Sequence, residues 1–209
     1  MTKNGTRLQG FSPRFWDHTT RYQQAWAVAA AGFLGADLGQ VGLRPVLVPV
    51  VIFTLLLLRL SMIDLEQYRL PDRLTKPGIG LGLCFSTLYW VFPAAALTTP
   101  EQAVVGLLAG YGGLWLVVTA YYYVTGRYGM GGGDLKLLGM IGAWLGWQAV
   151  AMTITIAALS GAVVAVVYLL RGKGRDFAIP FGPYLALGGW LMVLWPHAIL
   201  HGYLHLLGG

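Results

Sequence analysis

The sequence predicts an all-α, polytopic helical membrane protein with six to seven transmembrane helices, and three observations predict it. Hydrophobic residues make up 56% of the 209 and charged residues only 11%, whereas a soluble domain carries about 25% charged residues to cover its surface. Mean hydropathy is +0.64. The apolar residues are gathered into runs of roughly 20, the length that crosses a bilayer as a helix.

In chain order, residues 1–23 read as a polar N-terminal arm carrying Lys3, Arg7, Arg14 and Arg21, and 24–209 as the integral-membrane domain. The apolar run that starts at Trp26 raises the question of a signal peptide. Its small residues, Ala29 to Ala31, sit early in the run rather than at a cleavage-ready end, so an uncleaved first span is expected over 24–42, with Asp37 inside it. Further runs lie near 44–63, 78–97, 102–124 and 181–201. The stretch 137–170 is uncharged for 34 residues, too long for one span. It is either two helices joined near Gly146-Trp147-Gln148 or one span plus a re-entrant piece.

Basic residues bear on that choice. Arg69, Arg73 and Lys76 mark one connection, Arg127 and Lys136 a second, and Arg171, Lys173 and Arg175 a third. Cytoplasmic loops concentrate Lys and Arg, and all three can be cytoplasmic only if 137–170 crosses twice. Seven spans follow, N-terminus in and C-terminus out, with six left open. The net charge of +6 thus sits in short membrane connections. No basic stripe with interleaved aromatics accompanies it, which excludes nucleic acid as a partner. The single cysteine, Cys84, allows neither an internal disulfide nor a cysteine-based zinc site.

Only eight acids occur, so each can be weighed. Asp17 belongs to the polar arm, Glu101 to an outer loop and Asp176 to a basic loop, all three solvated. Asp37 lies in an apolar run, where an ionisable group is costly and functional by default; its place near the outer end favours a plain interfacial residue. The other four fall in two cytoplasmic blocks. One is Ile63-Asp64-Leu65-Glu66-Gln67-Tyr68-Arg69-Leu70-Pro71-Asp72, at the inner end of the second run. The other is Gly129-Met130-Gly131-Gly132-Gly133-Asp134-Leu135-Lys136-Leu137, which opens the next inward-facing helix. Asp64 and Asp134 therefore share a membrane face and a loop–helix junction, seventy positions apart.

Two carboxyls converging in a partly desolvated site share a proton between them, one acid and one base, and titrate as a unit. The base takes a proton from water, which attacks a peptide carbonyl; the acid protonates the carbonyl oxygen and then helps the amine leave. Gly131, Gly132 and Gly133 can adopt positive φ and lack a Cβ, so an extended substrate backbone can approach closely. A flexible inter-helix turn is the plainer reading of the same glycines.

The combination of blocks resembles the type IV prepilin peptidase family. It is carried by Ile63-Asp64 with Leu70-Pro71-Asp72-Arg73-Leu74-Thr75, then Gly129 to Leu137, then Ile179-Pro180-Phe181-Gly182-Pro183-Tyr184-Leu185-Ala186, three motifs in order over about 44–195. The resemblance implies a membrane-embedded aspartic endopeptidase of the Gly-x-Gly-Asp type, working in the bacterial inner membrane with its active site at the cytoplasmic face. Its substrates would be type IV prepilins or type II secretion pseudopilins, from which it removes the leader peptide. No cofactor or metal is implied. The bilayer is the other partner, and the oligomeric state stays open.

By position, the resemblance makes Asp64 and Asp134 the catalytic pair and Asp72 a supporting residue, although a helix N-cap before Arg73 explains Asp72 as simply. Gly131, Gly132, Gly133 and Lys136 are the other supporting positions, and Lys136 and Glu66 read equally as solvated charges. Pro180 and Pro183 break the chain before the last helix. Larger members carry an N-terminal region with two Cys-x-x-Cys pairs, associated with N-methylation of the new pilin terminus. With Cys84 alone, a short form without that region is expected, and a bifunctional peptidase/N-methyltransferase becomes the alternative. A transporter using the same acids as ion ligands is another, which acids at one face rather than the midplane disfavour. His197, His201 and His205 recur every four residues, a spacing able to hold a metal, but no acid follows Asp176 to complete a site. Tyr121-Tyr122-Tyr123 reads as an interfacial belt.

Overall fold

In the computed structural model the described residues are 28, 30–42, 44–126, 130–171, 180–196, 198 and 199; they form helices and turns, with no strand among them. Helix α1 covers 30–41. It is followed by α2 (Leu47–Gln67), α3 (Asp72–Thr87), α4 (Pro100–Leu108), α5 (Leu114–Thr125), α6 (Gly132–Leu145), α7 (Trp147–Leu170) and α8 (Gly182–Leu194). The π-helical residues Ala109–Gly113 join α4 to α5. Three helical stretches are long and apolar enough to cross a membrane, Leu47–Gln67, Pro93–Thr125 and Trp147–Leu170, and Gly182–Leu194 is a shorter apolar helix. The protein is an all-α integral membrane protein.

The uncharged stretch 137–170 resolves into two helices. It breaks at Gly146, whose φ of 86° and ψ of 175° end α6 and begin α7, a conformation open to glycine at no steric cost. The run at 78–97 differs from expectation. Its helix already starts at Asp72 and stops at Thr87, with short 3-10 turns at Leu88–Trp90 and Pro93–Ala95. Pro93 is the reason: the residue before a proline is pushed out of helical geometry, and Phe92 sits at φ −134°, ψ 76°.

The hub is α6. Leu137, Leu138, Met140, Ile141 and Trp144 are all buried, as expected of a helix that is apolar all round. Its closest neighbour is α4. A Cβ added to Gly142 would lie 2.1 Å from the Gly106 carbonyl oxygen, and one on Gly110 would lie 2.6 Å from that of Leu138. The two backbones are thus in direct contact, the arrangement small residues permit between membrane helices. On the α3 side, Trp144 lies between Phe53 and Phe85, with ring centroids 5.2 and 5.4 Å away. Its indole N–H donates to the Gly78 carbonyl at 2.8 Å. From α8, Gly189 packs on the Ile141 side chain and Gly188 on the backbone of Thr153 in α7.

Asp37 is a correction to the sequence reading. It is not a wetted interfacial residue: it is fully buried and accepts hydrogen bonds from Thr54 Oγ1 at 2.8 Å and Trp190 Nε1 at 3.1 Å. A buried carboxyl without donors would cost several kcal/mol, so these two contacts are what make its place tolerable. Tyr121, Tyr122 and Tyr123 are exposed on α5, beside the exposed Leu116 and Val124. His197, His201 and His205 lie outside the described residues.

Candidate active site

Two helix ends build the site. Asp64 occupies the last turn of α2, which closes at Tyr68 in the left-handed region (φ 53°), its N–H bonded to the Asp64 carbonyl at 2.9 Å. Asp134 lies in the first turn of α6, where unpaired backbone N–H groups favour a negative charge. Both carboxyls are nearly enclosed, Asp64 5% and Asp134 9% exposed. They line one cavity of about 220 Å³ together with Tyr68, Arg69, Leu70, Gly131, Gly132 and Gly133. The fold closes the seventy-residue gap between the two acids.

One contact joins these two helix ends and a second attaches α8 to Asp64. Leu70, just beyond α2, rests on Gly133, where an added Cβ would lie 2.8 Å from Leu70 Cβ and 3.3 Å from its backbone nitrogen. From α8, the Gly182 N–H donates to Asp64 Oδ2 at 2.9 Å. Gly182 is the first residue of α8, so its N–H is one of the donors a helix leaves unpaired at its start. An added Cβ there would lie 2.6 Å from the same Asp64 oxygen. Gly182 is not among the site residues that the sequence offers, because the block Ile179 to Ala186 serves there as a family motif and a proline break. The signal was the glycine between its two prolines.

The other predicted positions divide. Gly131, Gly132 and Gly133 line the cavity, and none of them uses the positive φ that glycine permits. The positive-φ glycines among the described residues are Gly42, Gly126 and Gly146. Gly131 is extended (φ −75°, ψ 145°), and Gly132 and Gly133 are already helical. What the glycines supply is room: nothing lies within 4 Å of a Cβ on Gly132, and only Leu70 crowds Gly133. Asp72 is not the N-cap of α3; Pro71 holds that position and Asp72 follows it. Its carboxylate pairs with Lys76 at 2.9 Å and with Lys136, which reaches across from α6. Those two ammonium groups, Lys136 foremost, hold the Asp72 carboxyl below the usual carboxylate range. Lys136 thus serves Asp72 rather than the acid pair, and Glu66 is exposed. Among the described residues, no three His, Cys, Asp or Glu side chains are grouped to hold a metal.

An acid pair, a glycine-lined cavity and a helical membrane scaffold coincide here with a family match. A model described as the type IV leader peptidase family matches residues 51–166, which include Asp64, Asp72, Gly131 to Asp134 and Lys136. The chain belongs to the type IV leader peptidase family. It is 44% identical over 155 residues to the prepilin leader peptidase/N-methyltransferase of Pseudomonas putida and 42% identical over 154 residues to that of Aeromonas salmonicida, in each case 73% of this chain and 51% of the relative. To the Xanthomonas campestris protein of the same name it is 41% identical over 160 residues, 76% of this chain and 53% of the relative. The chain spans about half the length of these leader peptidase relatives. No solved structure matches it. Gly182 and Asp37 both lie outside the residues that the leader peptidase model matches.

Proposed function

We propose that this chain is a prepilin leader peptidase, an aspartic endopeptidase whose catalytic pair is Asp64 and Asp134. The observation that carries the reading is that both acids, themselves nearly buried, line one small, half-open cavity, with no ion pair to either carboxyl among the described residues. One carboxylate takes a proton from a water as its oxygen bonds to the scissile carbonyl carbon. The other carboxyl gives its proton to the carbonyl oxygen. The C–N bond then breaks as the new acid returns a proton to the departing amine. Gly182 occupies one oxygen of Asp64 and leaves the other to exchange protons. The glycine edge of Gly131 to Gly133 gives an extended substrate backbone room to approach both acids.

The substrates are prepilins or type II pseudopilins, in line with the relatives' names, and the two-acid chemistry accounts for the hydrolytic half of those names. The working place is the cytoplasmic face of the bacterial inner membrane. The flanking basic residues Arg69, Arg73 and Lys76 support that orientation. Asp72 and Lys136 support the pair as a brace between the starts of α3 and α6, and Gly131 to Gly133 support it as the substrate edge.

Leader removal from a prepilin in membranes tests this, comparing wild type with Asp64→Asn and Asp134→Asn, each of which keeps shape and removes the proton exchange. Each variant is expected to accumulate and to cut nothing. A variant that cuts at near wild-type rate removes its residue from the pair.

A further inference from the structure

We propose that Asp37 is a positioning residue for the acid pair: from the far end of the α2–α8 seam it sets the register in which Gly182 meets Asp64. The inference rests on the reading of Asp64 as a catalytic carboxyl.

Helices α2 and α8 are tied at two places. At one, the Gly182 N–H donates to Asp64 Oδ2 at 2.9 Å. At the other, Thr54 of α2 and Trp190 of α8 donate to the two oxygens of the same Asp37 carboxyl, at 2.8 and 3.1 Å. Thr54 precedes Asp64 by ten residues, about 15 Å of helix, and Trp190 follows Gly182 by eight, about 12 Å. The helices are therefore antiparallel, with one polar tie near each end of their shared length.

Between the ties the seam is only partly filled. A cavity of about 320 Å³ lies there, lined by Leu57, Leu58 and Ser61 of α2, Tyr184 and Leu187 of α8, and Phe33 of α1. Interlocked side chains normally resist sliding of one helix along another; here Leu57 and Leu60 of α2 and Leu185 and Ala186 of α8 share one buried cluster, and the cavity removes part of that packing. Further along α8, Gly188 packs on α7 and Gly189 on α6. The two polar ties thus add directional contacts to a seam whose apolar packing is incomplete. A slip of one residue is about 1.5 Å, enough to break the Gly182 hydrogen bond.

Asp37 suits the task because a carboxyl has two acceptor oxygens, one for a donor from each helix. Its own helix adds a second grip, since Phe33, one turn earlier, lies against Trp190 with ring centroids 4.0 Å apart. Rigid helices carry the setting to the site: fixing Trp190 relative to Thr54 fixes Gly182 relative to Asp64. A misplacement of about 1 Å at a reacting group costs on the order of 10²-fold in rate.

The test uses the full chain in membranes or detergent and initial rates of prepilin leader removal. Asp37→Leu removes both acceptors and is expected to lower kcat at least about tenfold with KM within about twofold. Asp37→Asn keeps both contacts, its amide oxygen accepting from Trp190 and its amide nitrogen donating to Thr54, and is expected to stay within about threefold of wild type. Gly182→Ala removes the contact that Asp37 is held to set. In that background, at about one-hundredth of wild-type rate, Asp37→Leu is expected to cost nothing further. If Asp37→Leu fails to accumulate, Thr54→Val and Trp190→Phe, each removing one donor, replace it in the same cycle. Losses that add in the Gly182→Ala background overturn the proposal, because Asp37 then acts independently of the site. An Asn variant as impaired as the Leu variant overturns it too, since the acid's charge or proton is then what matters. A wild-type chain that cuts no prepilin fails at the earlier step and takes the peptidase reading down first.

Discussion

Eight residues separate Asp64 from Asp72, yet the fold gives the two acids opposite surroundings. Asp64 is 5% exposed; among the described residues it is in no ion pair, and the backbone N–H of Gly182 donates to it. Asp72 is 45% exposed and paired with both Lys76 and Lys136. The same division holds across the second block, where Asp134 faces the cavity and Lys136, two residues on, faces Asp72. An acid committed to two ammonium groups is a poor proton carrier, because each cation stabilises the charged form. An acid with a single neutral donor keeps its proton exchange available. The comparison teaches that Lys76 and Lys136 are committed to Asp72, while among the described residues neither carboxyl of the pair is in an ion pair, although Arg69 lines their cavity.

The sharpest way to break that comparison is to exchange each acid for its amide. Asp64→Asn and Asp134→Asn are each expected to lower leader removal by at least about 10²- to 10⁴-fold, the range attached to a lost general acid or base, while Asp72→Asn stays within about tenfold. If Asp72→Asn is as inactive as the others, Asp72 belongs with the pair and the division is wrong. Gly182→Ala comes next. Its new Cβ meets Asp64 Oδ2 at 2.6 Å and displaces the carboxyl, and a loss on the order of 10²-fold is expected, carried by kcat. An unchanged kcat with a raised KM would show that Gly182 touches substrate instead.

The glycine edge provides a finer contrast. Gly133→Ala drives a Cβ into Leu70 at 2.8 Å, close to its backbone. It should therefore spread the two acid-bearing segments and cost about tenfold in rate. Gly132→Ala meets nothing within 4 Å, so it leaves the fit between α2 and α6 alone; on the substrate edge it should raise KM while kcat stays within about twofold. A KM unchanged by Gly132→Ala would mean that the glycines serve only the fit between α2 and α6 and not the approach of substrate.

Much of this was legible from residues alone, for identifiable reasons. The helices follow from runs of apolar residues, and the division of 137–170 follows from its length together with a glycine where the break was needed. The acid pair could be found because charged residues are so scarce that each one had to be explained. Local sequence does not show which donors reach which acids. Gly182 lies 118 positions from Asp64, and its N–H is useful only because α8 happens to start there. Asp37 looked interfacial because a helix position near a membrane surface carries no sign of the Trp190 indole arriving from 153 positions away. The extended Gly131 and helical Gly132 and Gly133 could not be foreseen, because a glycine permits positive φ without requiring it.

The smallest expected effect concerns the paired acid itself. Lys136 and Lys76 hold the Asp72 carboxyl below its usual range, so folding favours its ionised form. That contribution to stability is present at any pH above the ordinary carboxylate value of about 3.9. It is lost as pH falls through the lowered value in the folded protein. Thermal unfolding of detergent-solubilised wild type and Asp72→Asn should therefore show a small gap at neutral pH that closes in strong acid. Added salt should narrow the gap as well, because exposed pairs are screened. A gap that widens on acidification would mean that Asp72 gives more to the fold as a neutral acid than as a partner of the lysines. The contrast with Asp64 would then rest on burial alone.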